Sequence, residues 1–348
     1  MTNKKYIKAA VLEKLKSPLK IINKIEIPIL KYGQILVKMK YAGICYSQIM
    51  EIEGKRGKDN YLPHMLGHEG VGKVIKKHKS VKKIKVNDWV ILTWIKSKGI
   101  NAHPINYSWK NKIINAGKVT TFSNYSIVSE NRVVKKPKSM SLKNAVLYGC
   151  AIPTGAGMIL NEIKLSKNEY LSISGLGGIG LVAVLSAIAS KHKNIIVIDV
   201  DDKKLNLAKK LGIKNTINAL KDDVFKKVVK ITKEKMIKVS LDCSGKIESI
   251  ENSFNIISLN GKCLFCSHPE HNKKIKIDPF ELIKGKKIEG SWGGGVKPDL
   301  DFKKINNLLN KTKINISEFL TTEYKFDDIN IAITDFQKRK IIRPIIKF

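Results

Sequence analysis

Hydrophobic positions in the first part of the chain recur every second residue. Ile35, Val37, Met39 and Tyr41 fall on one face of an extended segment, with Lys38 and Lys40 on the other, which predicts a strand leading toward Cys45. Similar short β-branched runs, YIKAAVLE, LKIINKIEIP, the stretch after His68 that closes in NDWVIL, and VTTFSNYSIVSENRVV, are separated by Gly, Asn and Asp breaks. This pattern predicts a mostly β region, a small and partly open barrel, over residues 1–152. Near Lys143 the character changes. SLKNAVLYGCAIPTGAGMIL reads as helical, and from Glu169 onward strands alternate with amphipathic helices. EYLSIS, NIIVIDV, NTIN, KVSLDC and KCLFC are the strands; the helices run from about Asp202 to Leu211, Asp222 to Glu234 and Ile247 to Ile257. Strand, crossover helix and strand in repetition specify a parallel doubly wound sheet, here over residues 153–291. The expected fold class is α/β, with a β-barrel domain beside a doubly wound one.

At 348 residues, 43% of them hydrophobic, the chain is long enough for two domains, each with its own core. It contains no apolar run long enough to span a bilayer, and its lysine-bearing start lacks the apolar core of a signal peptide, so a cytoplasmic protein is expected. A formal charge of +35 raises the question of nucleic acid. Of 65 basic residues only Arg56, Arg132, Arg339 and Arg343 are arginine, which leaves 61 lysines. Arginine supplies the rigid fork that reads guanine edges and clamps phosphate, and the lysines are spread along the whole chain. The charge therefore reads as a compositional bias of solvated faces, with no specific nucleic-acid partner. Five cysteines in a chain of this size do not make a disulfide scaffold and must be explained singly.

Two stretches carry chemistry. Gly175, Leu176, Gly177, Gly178, Ile179 and Gly180 follow a predicted strand and open a predicted helix, and Asp199 stands nineteen residues past Gly180 at the end of the next strand. The glycines permit a tight turn and close approach of a pyrophosphate, the helix N-terminus offers unpaired N–H groups, and an acidic side chain at that spacing accepts from ribose hydroxyls. Asp201 and Asp202 add negative charge that would repel a 2′-phosphate, so NAD is favoured over NADP. The second stretch, Gly43 to Gly72, sets Cys45 and His68 into glycine-punctuated loops. Taken alone, a Cys in an apolar run is a small core residue as readily as a metal ligand, and an isolated His is no more decisive.

GIC with Ser47 two residues on, GHEGVG, TFSNY, GCAIPTG, GLGGIG and the closing IIRPIIKF occur in one order and at family-like spacing. In these the chain resembles the zinc-dependent medium-chain alcohol dehydrogenases over nearly its whole length. The resemblance implies a GroES-like barrel completed by residues 292–348 and a Rossmann domain between. It implies that Cys45, His68 and Cys150 ligate a catalytic zinc, with Glu69 beside them as a supporting or transient ligand. Ser47 would receive the proton of an alcohol whose hydride passes to NAD. Thr154 and Cys266 would face the nicotinamide, Lys204 the adenosine ribose and Arg343 the pyrophosphate, while Trp94 and Phe122 would fall in the substrate pocket. A homodimer or homotetramer through the Rossmann edge near KKIEGSW is implied as well.

The chain also departs from the family. Residues 93–118 contain no cysteine, so no structural zinc is expected and one zinc per chain is. Gln48 replaces an acid that would orient His68, and Met50 stands where some relatives place a histidine that passes the proton to solvent. Cys263, Cys266, His268 and His271 mimic a metal motif, but KCLFC reads as a buried strand whose residues three apart point to opposite faces. The alternative reading is a zinc-free quinone-reductase-like enzyme or a nucleotide-sensing module; retention of Cys45, His68 and Cys150 argues against it.

Overall fold

The computed structural model describes residues 6–166 and 168–348. The chain divides into two compact units. The first runs to Cys150 and takes in Lys297–Lys303 and Asn315–Phe348; the second comprises Ala151–Val296 and Lys304–Ile314. The carboxy-terminal return to the first unit is thus made in two pieces.

The first unit is built from two sheets. One orders Lys20–Glu26, Tyr6–Leu12, His64–Met65, Lys112–Ala116 and Ile105–Trp109. The other orders Val133–Lys135, Trp89–Leu92, Gly70–Lys77, Gln34–Gly43, Arg343–Lys347 and Thr321–Lys325, with Tyr125–Ser129 also paired to Gln34–Gly43. The period-two face of Gln34–Gly43 is buried as its pattern requires: Ile35, Val37 and Met39 pack with Val74, Val90 and Val133. Leu36, on the opposite face, is buried too, among Ile7, Val11, Ile25 and Tyr107. This strand therefore joins two cores, and Lys38 is its one exposed residue. Residues 105–116 form a hairpin whose Lys110 and Asn111 take positive φ of 46° and 63°, the mirror-image turn that matches strand twist. Its Tyr107 is buried and accepts a hydrogen bond from the Ile127 N–H at 3.1 Å, so this part of residues 93–118 is sheet and core.

The second unit holds a six-stranded sheet, in space Asn215–Asn218, Ile195–Asp199, Leu171–Ser174, Ile237–Asp242, Ile257–Phe265 and Lys287–Gly290, with every pairing parallel. Numbered by sequence within the sheet, this is the order 3-2-1-4-5-6, whose reversal point opens a crevice at the carboxyl ends of the strands. The helix Gly178–Ala189 is apolar all round and buried along most of its length. Asp201 and Asp223 cap the next two helices by accepting from the Lys203 and Lys226 N–H groups. Phe254, packed among Ile196, Val228 and Cys263, is the largest side chain of this core. Phe254→Ala is expected to destabilise the protein by about 3–5 kcal/mol in urea unfolding; a loss below about 1 kcal/mol would contradict this packing.

Candidate zinc and dinucleotide sites

Cys45 follows the strand Gln34–Gly43 and opens the helix Tyr46–Ile52. Its N–H donates to Gln48 Oε1 at 3.0 Å, so the helix start fixes where the sulfur points. His68 lies in the loop between His64–Met65 and Gly70–Lys77, and Cys150 ends the turn after the helix Leu142–Leu147. Loops far apart in sequence thus bring two sulfurs and an imidazole nitrogen within 4.8 Å of one another. The Cys150 thiol donates to the Cys45 sulfur at 3.8 Å. This bond, against the cost of burial and with help from Arg343 and His68, holds the Cys45 thiol well below its ordinary pKa. As donor to Cys45, and because it is buried, the Cys150 thiol is pushed well above. Two buried sulfurs this close form a pair that a cation can neutralise.

The donor set fits zinc. Two thiolates and an imidazole suit its borderline-soft character and leave a fourth tetrahedral position open, and His68 Nε2 is buried with no hydrogen-bond partner. His68 Nδ1 lies 2.8 Å from Gln48 Nε2, which also donates to Ser47 Oγ at 3.2 Å. A neutral amide therefore occupies the place where a carboxylate would impose charge on the ring. Trp94 meets His68 edge-on, with ring centroids 6.4 Å apart.

Behind the sulfurs lies a fully buried ion pair. Glu69 has no exposed surface, and its Oε1 accepts from Arg343 Nη2, itself only 4% exposed. Burial pushes the Glu69 carboxyl up to about 7, with Arg343 opposing. For Arg343, burial alone would favour the neutral form, but Glu69 and the two sulfurs more than offset it and the net shift is upward. Glycines shape this cage. A Cβ on Gly43 would lie 2.6 Å from Glu69 Cδ, and one on Gly149 would lie 2.4 Å from Glu69 Cβ and 2.5 Å from Leu92 O. Gly43 and Gly149 fall within the GIC and GCAIPTG motifs, but that they make room for a buried acid is seen only in the fold. Arg343, expected at the pyrophosphate, is paired with Glu69, and Phe122, expected in the substrate pocket, is wholly buried among Ala10, Ile44 and Leu66. Met50 is buried as well.

In the second unit the glycine turn is tightly packed on one side and open on the other. Gly175 takes φ +83°, and a Cβ on Gly180 would lie 2.1 Å from Gly175 O, whereas Gly177 faces open space. Gly178 and Ile179 begin the helix that follows. Asp199 Oδ2 accepts from the Leu176 N–H at 2.5 Å, and Oδ1 accepts from the Val200 and Asp201 N–H groups at 2.8 and 3.0 Å. The acidic residue thus also ties the turn to the end of its neighbouring strand. Thr154 is buried in the helix Ala151–Gly157, Lys204 is half-buried on the helix Asp202–Lys210, and Cys266 stands one residue past the strand Ile257–Phe265.

The two-unit geometry agrees with comparisons to known proteins. The family model "Alcohol dehydrogenase GroES-like domain" matches residues 31–138, and "Zinc-binding dehydrogenase" matches residues 178–311. The S-(hydroxymethyl)glutathione dehydrogenase of Synechocystis sp. is 26% identical over 98% of this chain and 99% of its own. The protein of the same description from Photobacterium damsela is 27% identical over 95% and 96%. A solved benzyl alcohol dehydrogenase from Acinetobacter calcoaceticus shares 26% identity at a TM-score of 0.87, covering 99% of both chains. These findings and the Cys45–His68–Cys150 group define a zinc-binding dehydrogenase built from a GroES-like barrel and a Rossmann unit. The chain belongs to the zinc-dependent medium-chain alcohol dehydrogenase family and is an oxidoreductase of that type.

Arg343→Met is expected to cost about 3–5 kcal/mol of stability by leaving Glu69 buried and unpaired, and adding Glu69→Gln to recover most of that loss. Urea unfolding of the two single variants and the double variant measures the coupling; strictly additive losses would show that the pair does not act as a unit.

Proposed function

We propose that the protein is an NAD-dependent dehydrogenase that interconverts an alcohol and its aldehyde or ketone at a single zinc held by Cys45, His68 and Cys150. The observation that carries this reading is the convergence of two thiols and a partnerless buried imidazole nitrogen within 4.8 Å. Zinc, when bound, supplies the Lewis acidity that makes an alcohol hydroxyl acidic near neutral pH, and NAD supplies the hydride acceptor. The chain's own residues do the rest. Ser47 Oγ, steadied by Gln48 Nε2, receives the alcohol proton. Met50 is buried and carries no titratable group, so the proton leaves Ser47 by another route, through water or a ribose hydroxyl of the cofactor. Trp94 presents an aromatic wall beside His68 that limits water around the substrate. Glu69 backs the metal ligands with a charge that Arg343 balances.

Gly175, Gly177, Gly178, Ile179 and Gly180 would hold the diphosphate, with Asp199 on the adenosine ribose and Lys204 beside it. Thr154 and Cys266 would contact the nicotinamide. The acidic cluster of Asp199, Asp201 and Asp202 disfavours a 2′-phosphate, which supports NAD over NADP. Lys287–Gly290 is an edge strand of its sheet, and Trp292 just beyond it is 79% exposed, which supports assembly through this edge as a homodimer or homotetramer.

Elemental analysis is expected to find zinc in the purified protein and to find it lost from Cys45→Ser, together with alcohol oxidation followed by NADH absorbance. A protein active without tightly bound metal would overturn the mechanism. Asp199→Ala removes a charged acceptor and is expected to weaken NAD binding by about 10- to 100-fold in titration; equal turnover of the unmutated protein with NADP would contradict the cofactor assignment.

A further inference from the structure

Two adjacent parallel strands of the second unit run out into cysteines. Ile237–Asp242 and Ile257–Phe265 pair with Leu241 opposite Leu264 and Asp242 opposite Phe265, so the following residues, Cys243 and Cys266, are register neighbours. The Cys266 N–H donates to Asp242 O at 3.1 Å and extends the ladder by one step. Neighbouring positions of parallel strands lie about 5 Å apart and direct their side chains to the same face. That separation is inside the range of roughly 4.4–6.8 Å in which a disulfide closes. Both residues are free thiols and half-buried, and the Cys243 thiol is within hydrogen-bonding reach of the Cys266 sulfur. Cys263, three residues before Cys266, lies in the core and cannot compete.

We infer that Cys243 and Cys266 form a reversible dithiol–disulfide site lying directly beneath the glycine turn. The turn has no slack there. The Cys243 N–H donates to Ser174 O at 2.8 Å, Ser267 Oγ donates to Cys243 O at 3.0 Å, and a Cβ on Gly180 would sit 3.5 Å from Cys243 Cβ. At Gly175 a Cβ would lie 2.7 Å from Ser244 N. Closing the bond draws the two Cβ atoms to about 3.8 Å and shifts the segment on which Gly175 and Gly180 rest. Weaker dinucleotide binding follows, a consequence that rests on the function proposed above. The oxidant is a low-molecular-weight disulfide. Cys266 attacks it as the thiolate and forms a mixed disulfide, releasing one small thiol. Cys243 then loses its proton to solvent, attacks the Cys266 sulfur and releases the second small thiol. Two protein thiols become one disulfide as one small disulfide becomes two thiols.

The test treats the zinc-loaded full-length protein with glutathione disulfide, blocks the remaining thiols by alkylation and maps peptides by mass. The expected product is a linked Cys243–Cys266 peptide that dithiothreitol reverses and that Cys243→Ser cannot form. NAD titration of the parent protein should show about tenfold weaker binding in proportion to the linked fraction, restored on reduction. Full alkylation of both thiols after treatment, or a linkage confined to Cys45 and Cys150, overturns the inference. Linkage with unchanged NAD affinity overturns its coupling to the turn. Linkage in a protein whose reduced form binds no NAD supports the thiol site and rejects the cofactor reading instead.

Discussion

The buried carboxylate of Glu69 is the constraint around which the first unit is arranged. A charge with no exposed surface costs several kcal/mol unless an opposite charge is buried with it. Arg343 meets that need, and it arrives on the last strand of the chain, paired antiparallel to Gln34–Gly43 with Ile345 opposite Gly43. Gly43 and Gly149 keep the space that the carboxylate fills. Since Gly43 ends the strand leading to Cys45 and Gly149 immediately precedes Cys150, the acid's cage and the sulfur ligands are placed by the same two turns. Electrostatic need and metal geometry are met by one piece of packing.

In the second unit Asp199 plays a comparable organising part. Its spacing from the glycines is the basis for proposing that it receives a ribose. In the fold the carboxylate also accepts three backbone N–H groups, one of them from Leu176 inside the turn. The residue that would recognise the ligand thus also holds the loop in its binding shape, which gives the spacing a mechanical reason besides a chemical one. Beneath the same turn, Asp242 is buried and accepts from Ser244 and Ser249, which steadies the segment that carries Cys243.

The large positive charge takes little part in this. Among the described residues many lysine ion pairs lie at the surface, such as Lys143–Glu323 and Lys221–Asp202, where each contributes little. The basic residue that matters at the metal site is one of only four arginines. Its fork meets a carboxylate directly, a task for which a compact, strongly hydrated ammonium is poorly suited.

Periodicity and glycine spacing by themselves determined the β and doubly wound regions, the glycine turn with Asp199, and the residue types able to bind a metal, because those signals are local and follow from the repeat of strand and helix. Tertiary structure decided the rest. The sequence could not show that the closing strand would lay Arg343 against Glu69, since a parallel or antiparallel partner is chosen by packing and not by spacing. Nor could it show that Phe122 would be wholly buried while Trp94 meets His68 edge-on. It marked Gln48 as a missing charge, but only the folded loop showed that amide reaching both Cys45 and His68. The pairing of Cys243 with Cys266 was likewise out of reach, because it exists only in the register between two parallel strands. Long-range register and burial arise from the whole core at once, and no short window of sequence contains them.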